Sequence, residues 1–579
     1  MRTIKQFLII LIFIQTTTIL LFAESNTTVA DKNLNYILKN KFKKQRNLLL
    51  KHIDNKRFLK RFYKKNNYLP LWINEHGLKR EKYLDLINHI NKDLTLNKNG
   101  FLLKKSEALS KQLDNNLTNY ELYRVELKLT SLYHDFLNHA IYGEIQWKSF
   151  SRKLSALKRY RINAKWLKSR AKFNLNKLIS QPDINKTIEE ITPKRFGYKK
   201  LLEGLNILTT IKENGGWLKL PYFKVLELGS RGEIVVQLRE RLKASGDYTV
   251  CENNTTILNT PIQHNKQDID NNESTEEKHI DPDAIFGNCL DIAVKKFQKR
   301  HGLTVDGIVG GGTQRALNTS VEEKIKTVLL NIDRIKWLPR DQEQRYLVVN
   351  LPEFKLHYIE DNIVKQQLRV VIGDKKHPTP IFNQKISYIV LNPYWKVPEG
   401  IVRREIIPAV VRNRNYLRKQ GLVAHRTWDE NSRIINTSHI YWKKYLWSGV
   451  KFPYRLMQPP GPKNALGKIK FKFPNQFAVY LHDTPSRHLF KKNIRAFSHG
   501  CVRLDQPQKL LDTVASFNKS INLPRARKIL KGKRKVQLNI KNKLPIYLVY
   551  LTAGMNNDNQ LEFRNDIYRY DKFMKRSTK

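Results

Sequence analysis

The residues best suited to covalent chemistry lie in the C-terminal third of the sequence. Cys501 stands in the stretch 498–503, which reads Ser-His-Gly-Cys-Val-Arg, and His482 precedes that stretch. A thiol is the easiest nucleophile for acyl transfer, because a few per cent of it ionises near neutral pH and a neighbouring imidazole increases that fraction. The pattern indicates nucleophilic catalysis, which needs a nucleophile, a base that activates it and donors for the oxyanion.

The residues next to Cys501 support this interpretation and leave two alternatives open. His499 lies two positions before Cys501, where an extended backbone would place both side chains on one face. Gly500 has no Cβ, so the backbone N–H groups around it can approach a substrate carbonyl closely. The alternatives are a buried, unreactive thiol and a metal ligand. Zinc prefers three or four ligands, and one thiol with two imidazoles leaves that set incomplete.

The three cysteines and the N-terminus bear on the compartment. An odd number of cysteines leaves one thiol free in an oxidising environment, and Cys251 and Cys289 could pair with each other. Residues 1–25 combine basic residues, an apolar run and small residues, as a cleaved signal peptide does. An uncleaved anchor is the alternative, but a membrane span needs roughly 20 apolar residues and this run is shorter. We therefore expect export to the periplasm, with an inner-membrane anchor and membrane contact only if residues 1–25 are retained.

The charge of the chain is strongly positive. The 106 Lys and Arg residues exceed the 52 Asp and Glu residues, which gives a formal net charge of +54. Such a field favours a polyanionic partner such as nucleic acid, an anionic membrane face or an acidic wall polymer, although lysines that simply solvate every face are an equal explanation. We predict no nucleic-acid partner, because the sequence has no RNA-binding aromatic motif and no zinc-finger spacing, and because export is expected.

The hydrophobic periodicity divides the rest of the chain into three parts, and we predict a multidomain α+β protein. Residues 26–222 have helical spacing and read as an α-helical scaffold domain. Residues 223–320 form a small helical module with a polar insertion at 251–282. From residue 343 to 579 the period changes to two, which predicts a β-sandwich with one of its strands at 477–481. A helical insertion at about 398–463 interrupts the strands.

Two of these parts resemble known families. The small module has Phe297-Gln298 on a helix, followed by turns at Gly302-Leu303 and Asp306-Gly307, and it resembles the three-helix peptidoglycan-binding module. His482 with the stretch 498–503 resembles the signature of the YkuD-type L,D-transpeptidases. The stretches 392–398, 459–467 and 563–568 are similar to the long, multidomain Gram-negative branch of that family, in which a capping subdomain corresponds to 398–463.

The resemblance implies a role for each residue of the site. Cys501 would attack the carbonyl of the third residue of a stem tetrapeptide and expel the terminal D-alanine, with His482 as proton donor and acceptor. His499, Gly500 and Cys501 would supply backbone N–H groups for the oxyanion, and Ser498 would support their loop. Arg503 would bind a carboxylate of the stem peptide, with a surface charge as the alternative. No metal or organic cofactor is implied, and the expected partners are peptidoglycan stem peptides and glycan.

The same residues are compatible with other outcomes. The resemblance implies a 3→3 cross-link, formed when the diaminopimelate amine of a neighbouring stem resolves the thioester. Water, a free D-amino acid or a lipoprotein lysine could resolve the same acyl-enzyme, which would make the protein a hydrolase, an exchanger or a lipoprotein-attaching enzyme. A non-enzymatic, basic wall-binding scaffold is the remaining alternative, and a free thiol near two imidazoles argues against it.

Overall fold

The computed structural model of the protein describes most of the chain. It describes residues 36–40, 44, 49–113, 117–169, 171–251, 282–340, 343–447, 449–556 and 558–576. The predicted signal peptide at 1–25 lies outside these residues, as does the predicted insertion at 251–282 apart from its two end residues. Across the described ranges, no helix has both the length and the apolar character that crossing a membrane requires.

The first part of the chain is α-helical, as its spacing predicts, and is built around one long helix. That helix, Asn119–Tyr142, begins at a capping box in which Thr118 and Glu121 satisfy each other's backbone N–H groups. Its buried face includes Leu132 and Tyr133, which have no solvent exposure and belong to a core of their own. The helices are α1 (Lys56–Lys65), α2 (Arg80–Lys92), α3 (Phe101–Leu113), α4 (Asn119–Tyr142), α5 (Trp147–Ala156), α6 (Leu175–Ile179), α7 (Ile184–Ile191) and α8 (Tyr198–Glu213), and a short hairpin pairs β1 (Ile73–Asn74) with β2 (Gly77–Leu78).

The small module packs three helices around a separate core. These helices are α9 (Glu233–Ala244), α10 (Asn288–Arg300) and α11 (Gly311–Leu317). The Gln298 side chain explains the spacing of the module's motif, because its Oε1 accepts the backbone N–H groups of Asp306 and Gly307 at 3.1 and 3.0 Å. Its Nε2 donates to Asp306 Oδ1 at 2.8 Å. One side chain on α10 thus holds the following Asp-Gly turn, in which Gly307 has a φ of 81°.

The cysteines are arranged as one pair and one free thiol. Cys251 and Cys289 form a disulfide with a Cα–Cα distance of 5.7 Å, and Cys501 is free. The sequence left this pairing open, and the structure contains it. The disulfide joins the segment that follows α9 to the first turn of α10. The helix after the module, α12 (Val321–Lys336), packs on α8 and leads into the β-rich part of the chain.

The β-rich part is one nine-stranded sheet that closes on itself. Its strands are β3 (Arg345–Asn350), β4 (Lys355–Glu360), β5 (Ile363–Gly373), β6 (Phe382–Leu391), β10 (Ile469–Lys472), β11 (Leu481–His482), β12 (Ala496–Ser498), β13 (Val502–Leu504) and β14 (Val536–Val549). Their order in the sheet is β12-β5-β13-β11-β10-β6-β14-β3-β4, and β5 pairs with β4 along its first half and with β13 and β12 along its second half. The predicted β-sandwich is thus a single curved sheet around one core.

Further elements accompany the sheet. They are the helices α16 (Pro507–Ser516), α17 (Leu523–Lys531) and α18 (Tyr570–Phe573) and the hairpin of β15 (Ala553–Met555) and β16 (Leu561–Phe563).

One predicted strand is much shorter in the structure. The sequence predicts a strand over 477–481, but only Leu481 of that run is in β11. Asn475 Oδ1 accepts the backbone N–H groups of Phe477 and Val479, and Ala478 has a φ of 55°. The side-chain bonds of Asn475 therefore turn the chain just before β11, which an alternating pattern of side chains does not reveal.

The segment that interrupts the sheet forms a cap with its own small core. It contains α13 (Glu399–Ile401), a π-helical turn (Val402–Ile406), α14 (Ile407–Arg412) and α15 (Tyr416–Gln420). It also contains a three-stranded sheet in the order β7 (Trp395–Lys396), β9 (Arg455–Gln458), β8 (Val423–His425). The insertion is thus mixed, whereas the sequence predicts a helical one, because its strands have only two to four residues each and show no period.

The disulfide generates a prediction about stability. Replacing Cys251 and Cys289 by alanine should lower the free energy of unfolding of the small module by about 2–4 kcal/mol, because a cross-link over a separation of 38 residues restricts the unfolded chain. Thermal unfolding with and without a reducing agent measures this. Reductant should lower the melting temperature of the native protein and leave that of the double variant unchanged. Equal responses of the two proteins would contradict the prediction.

Candidate active site

Two short strands bring the predicted catalytic residues together. The strands β11 and β13 are parallel, with Leu481 opposite Val502 and His482 opposite Arg503. Cys501 immediately precedes β13 and alternates with Arg503, so both side chains lie on the same face of the strand pair as His482. All three polar side chains line one cavity of about 670 Å³ between the sheet and the cap. Ser498 and His499 line the same cavity.

His482 is arranged as a neutral base. Its side chain is only 4% exposed, and Nδ1 lies 2.5 Å from the backbone carbonyl oxygen of Asp483. A carbonyl can only accept, so Nδ1 carries the ring proton and Nε2 keeps its lone pair. Burial, together with the positive charge of Arg503, lowers the pKa of His482 to about 3. The imidazole is therefore unprotonated at neutral pH and able to accept a proton.

The Cys501 thiol experiences two opposing influences. Burial raises its pKa, while the backbone of Tyr480 and the positive charges of Lys470 and Lys472 lower it. Lys470 Nζ lies 3.9 Å from the centre of the Tyr480 ring, and burial with the nearby charge of Lys472 lowers the pKa of Lys470 to about 8. The desolvation of the thiol dominates, so a thiolate forms only with the help of the base and the lysines.

His499 lines the cavity with Cys501 and also contacts the cap. Gly500 between them has a φ of 107°, so the backbone there is not the extended one that the sequence suggests, although both side chains reach the same cavity. His499 Nε2 lies 2.6 Å from Glu405 Oε1 of the cap. Its ring lies 4.6 Å from the ring of His377. His499 thus connects the loop of the nucleophile to the cap.

The loop of the nucleophile is held by Ser498. Its Oγ donates to the backbone carbonyl of Cys501 at 2.5 Å and accepts the N–H of Gly500 at 3.1 Å. The Gly500 N–H is therefore engaged inside the loop rather than directed at a substrate. The N–H groups of His499 and Cys501 donate to no backbone acceptor in the described part of the chain, so these two remain as candidate oxyanion donors.

Arg503 provides an unsatisfied positive charge. Its side chain lines the cavity, and its Nε is buried without a hydrogen-bond partner among the described residues. Burial lowers the pKa of its guanidinium, although an arginine stays protonated at neutral pH. A buried donor without a partner is costly, so the side chain is suited to an anionic ligand that supplies the missing acceptor.

Comparison with protein families identifies the parts of the chain. The family model described as the YkuD L,D-transpeptidase catalytic domain matches residues 344–536. The chain contains an L,D-transpeptidase catalytic domain. A scaffold domain matches residues 57–205, and a putative peptidoglycan-binding domain matches residues 272–317. The matched residues thus include strands β3 to β13, the cap, and both Cys501 and His482.

The chain is also similar to individual proteins. A putative L,D-transpeptidase of Haemophilus influenzae is 32% identical over 257 residues, which are 44% of this chain and 50% of that protein. The chain thus spans about half the length of this curated relative. Among solved structures, the L,D-transpeptidase of Stackebrandtia nassauensis is 16% identical, covering 56% of this chain and 94% of its own, with a TM-score of 0.20. That of Xylanimonas cellulosilytica (residues 123-326) is 15% identical, covering 57% and 99%, with a TM-score of 0.16.

The structure also places residues at the transpeptidase site that the sequence analysis does not select. Lys470 and Tyr480 flank the thiol. Lys470 alternates with Lys472 on β10, which puts both lysines on one face of the strand, and this alternation is the sequence pattern that could have indicated Lys470. Asp483 follows the base, and its Oδ2 accepts the N–H of Lys468 while its Oδ1 pairs with Arg487. These bonds hold the backbone whose carbonyl orients His482, and no sequence pattern indicates them.

The lysine beside the thiol generates a prediction. Lys470→Gln should raise the pKa of Cys501, because it removes a positive charge that stabilises the thiolate. Below pH 8, alkylation of Cys501 by iodoacetamide should slow by about tenfold for each unit of pKa change. Above pH 8 the native lysine itself loses its proton, so the two rates should converge. The measurement is the alkylation rate from pH 6.5 to 9.5, followed by intact-protein mass.

A matched variant controls for the loss of a lysine. Lys472 Nζ lies 5.4 Å from the Tyr480 ring, compared with 3.9 Å for Lys470 Nζ. Lys472→Gln should therefore slow alkylation less than Lys470→Gln does. Equal rates for Lys470→Gln and the native protein below pH 8 would show that Lys470 does not influence the thiol.

Proposed function

We propose that the protein is an exported L,D-transpeptidase that forms 3→3 cross-links between peptidoglycan stem peptides through a thioester on Cys501. The single observation that carries this proposal is the cavity that Cys501 shares with the neutral base His482 and with Arg503, whose buried Nε has no hydrogen-bond partner in the part of the chain that the structure describes. The transpeptidase catalytic domain at 344–536 and the peptidoglycan-binding domain at 272–317 support peptidoglycan as the substrate.

The first half-reaction makes the thioester. His482 Nε2 takes the thiol proton, and the sulfur of Cys501 attacks the carbonyl carbon of the third stem residue. The N–H groups of His499 and Cys501 receive the negative charge that develops on the carbonyl oxygen. The bond to the terminal D-alanine breaks, and the imidazolium of His482 gives its proton to the departing amine. The products are a free D-alanine and an acyl-enzyme.

The second half-reaction consumes the thioester. The side-chain amine of a diaminopimelate residue in a neighbouring stem attacks the thioester carbonyl, and the carbon–sulfur bond breaks. The amine gives up one proton to His482, which returns it to the sulfur of Cys501. The neutral imidazole suits both steps, because it starts each of them as an acceptor of a proton. The cavity, about 670 Å³ in volume, offers space for a bound peptide.

The rest of the chain fits a location in the cell wall. The Cys251–Cys289 disulfide is typical of an oxidising compartment such as the periplasm. The net charge of +54 favours association with a polymer that carries carboxylates. Together with the expected signal peptide, these features support export to the periplasm.

Product analysis tests the proposed reaction. Stem tetrapeptides incubated with the full chain should give cross-linked dimers, detected by mass and fragmentation. Tripeptides alone would indicate hydrolysis, and tetrapeptides with an exchanged terminal residue would indicate D-amino acid exchange. The Cys501→Ala variant should form none of these products. Absence of every product from the native protein would favour the wall-binding scaffold.

Carbapenem acylation tests the two catalytic side chains. A strained β-lactam presents a carbonyl to the thiolate, so Cys501 should gain the mass of one carbapenem. His482→Ala should slow this addition by about 10²–10⁴, because it removes the base. His499→Ala is the comparison, and it should slow the reaction less because His499 faces the cap. A larger effect of His499→Ala than of His482→Ala would show that the base is misassigned.

Replacement of the cavity's arginine tests substrate binding. Arg503→Gln should lower kcat/KM for stem tetrapeptides by about 10- to 100-fold, because charge-assisted hydrogen bonds to a carboxylate are lost. Steady-state release of D-alanine measures this. Arg527→Gln is a control, since Arg527 is exposed on α17 and pairs with Asp512. An unchanged kcat/KM for Arg503→Gln would leave Arg503 without a role in binding.

A further inference from the structure

A second cavity adjoins the one that contains Cys501. Its volume is about 830 Å³, and it lies between the cap and the segment that follows helix α5 of the scaffold domain. Asn163, His377, Gly400 and Arg404 line both cavities. The two spaces are therefore neighbours along one continuous cleft, and a ligand in the second cavity can reach the first.

The scaffold domain contributes one wall of the second cavity through backbone contacts. Asn163 N–H donates to the Lys376 carbonyl at 3.3 Å, next to His377. Two further bonds, from Leu167 to the Ile381 carbonyl and from Ile381 to the Lys165 carbonyl, hold the segment against the loop that precedes β6. This docking fixes the position of the preceding turn, which carries Lys158 and Arg161.

The lining of this second cavity is strongly basic. Lys158 and Arg161 come from the scaffold domain, and Arg403 and Arg404 come from the π-helical turn of the cap. Glu399 is the single acidic residue of the lining. Within the described ranges, none of the four cations forms a salt bridge with a carboxylate of the chain. Four cations that converge from two domains, with Glu399 as the one acidic residue beside them in the lining, favour a ligand with several negative charges.

We propose that this second cavity binds the carboxylates of the acceptor stem peptide. The inference rests on the proposed function, since a transpeptidase must hold two stems at once. The donor is accounted for by Arg503 in the first cavity, and the acceptor needs a site from which its amine reaches the thioester. Ile162, Tyr445 and Leu446 add apolar lining that suits the aliphatic parts of a peptide. The scaffold domain and the cap thus form the acceptor site together.

A binding measurement tests the proposal without requiring catalysis. The full chain carrying Cys501→Ala is titrated with a stem tripeptide that ends in diaminopimelate, which lacks the terminal D-alanine of a donor. Isothermal titration calorimetry should show binding that weakens as salt is added. Arg161→Gln and Arg403→Gln, each in this background, should weaken the binding by about tenfold through loss of a charge-assisted hydrogen bond. A tripeptide whose carboxylates are amidated should bind the Cys501→Ala protein no more tightly than the unmodified tripeptide binds the two arginine variants.

Matched controls separate the possible outcomes. Arg159→Gln should leave the affinity unchanged, because Arg159 is an exposed residue of the same turn that does not line the cavity. Unchanged affinity in both Arg161→Gln and Arg403→Gln would overturn the proposal. So would a loss confined to Arg503→Gln, because the tripeptide would then occupy the first cavity. Failure of the native protein to form any acyl-enzyme concerns the proposed function alone and does not alter these affinities.

Discussion

The parallel pairing of β11 with β13 is the contact on which the site depends. It places His482 opposite Arg503 and brings Cys501 to the same face of the pair. Leu481 and Val502, which face each other across the pair, are completely buried in the main core. A shift of one residue in this register would turn the polar side chains into the core, so the apolar partners hold the catalytic ones in place. The surrounding sheet closes on itself and prevents such a shift.

The electrostatics of the cavity follow from burial combined with an excess of positive charge. Desolvation keeps His482 neutral and opposes ionisation of Cys501, so the resting site contains an uncharged pair. The cations Arg503 and Lys470 then compensate negative charge wherever it develops, on the sulfur or on a bound carboxylate. A neutral resting pair in a cationic cavity costs less to bury than a permanent ion pair would.

The domains of the chain meet around the cleft instead of standing apart. The segment 163–167 of the scaffold domain adds backbone hydrogen bonds to the loop before β6, and Phe150 of α5 packs in the core of the catalytic sheet. From the other side, Glu405 of the cap contacts His499 beside the nucleophile. The walls of the cleft therefore come from the scaffold domain, the sheet and the cap, and movement of any of these would change its shape.

Much of the architecture follows from local pattern. Helical spacing predicts the scaffold domain, and alternation predicts most strands of the sheet, because each element buries one face and repeats with its own period. The Phe-Gln and Asp-Gly elements of the small module indicate its turn, whose backbone N–H groups donate to the Gln298 side chain. The motif around Cys501 indicates the nucleophile, since few other roles require that combination of residues. The strand expected at 477–481 is wrong because the side chain of Asn475 competes for the backbone.

The sequence by itself thus determined most of the element types and the identity of the residues that could do chemistry, with Cys501 as the thiol left free if Cys251 and Cys289 pair. Tertiary structure decided which partners those residues have. His499 contacts Glu405 of the cap, and the pairing of β11 with β13 places His482 opposite Arg503. Tertiary structure also decided that Lys158 and Arg403 line one cavity. These outcomes depend on contacts between segments far apart in the chain, whose geometry is set by packing of the whole core and leaves no local periodicity to read.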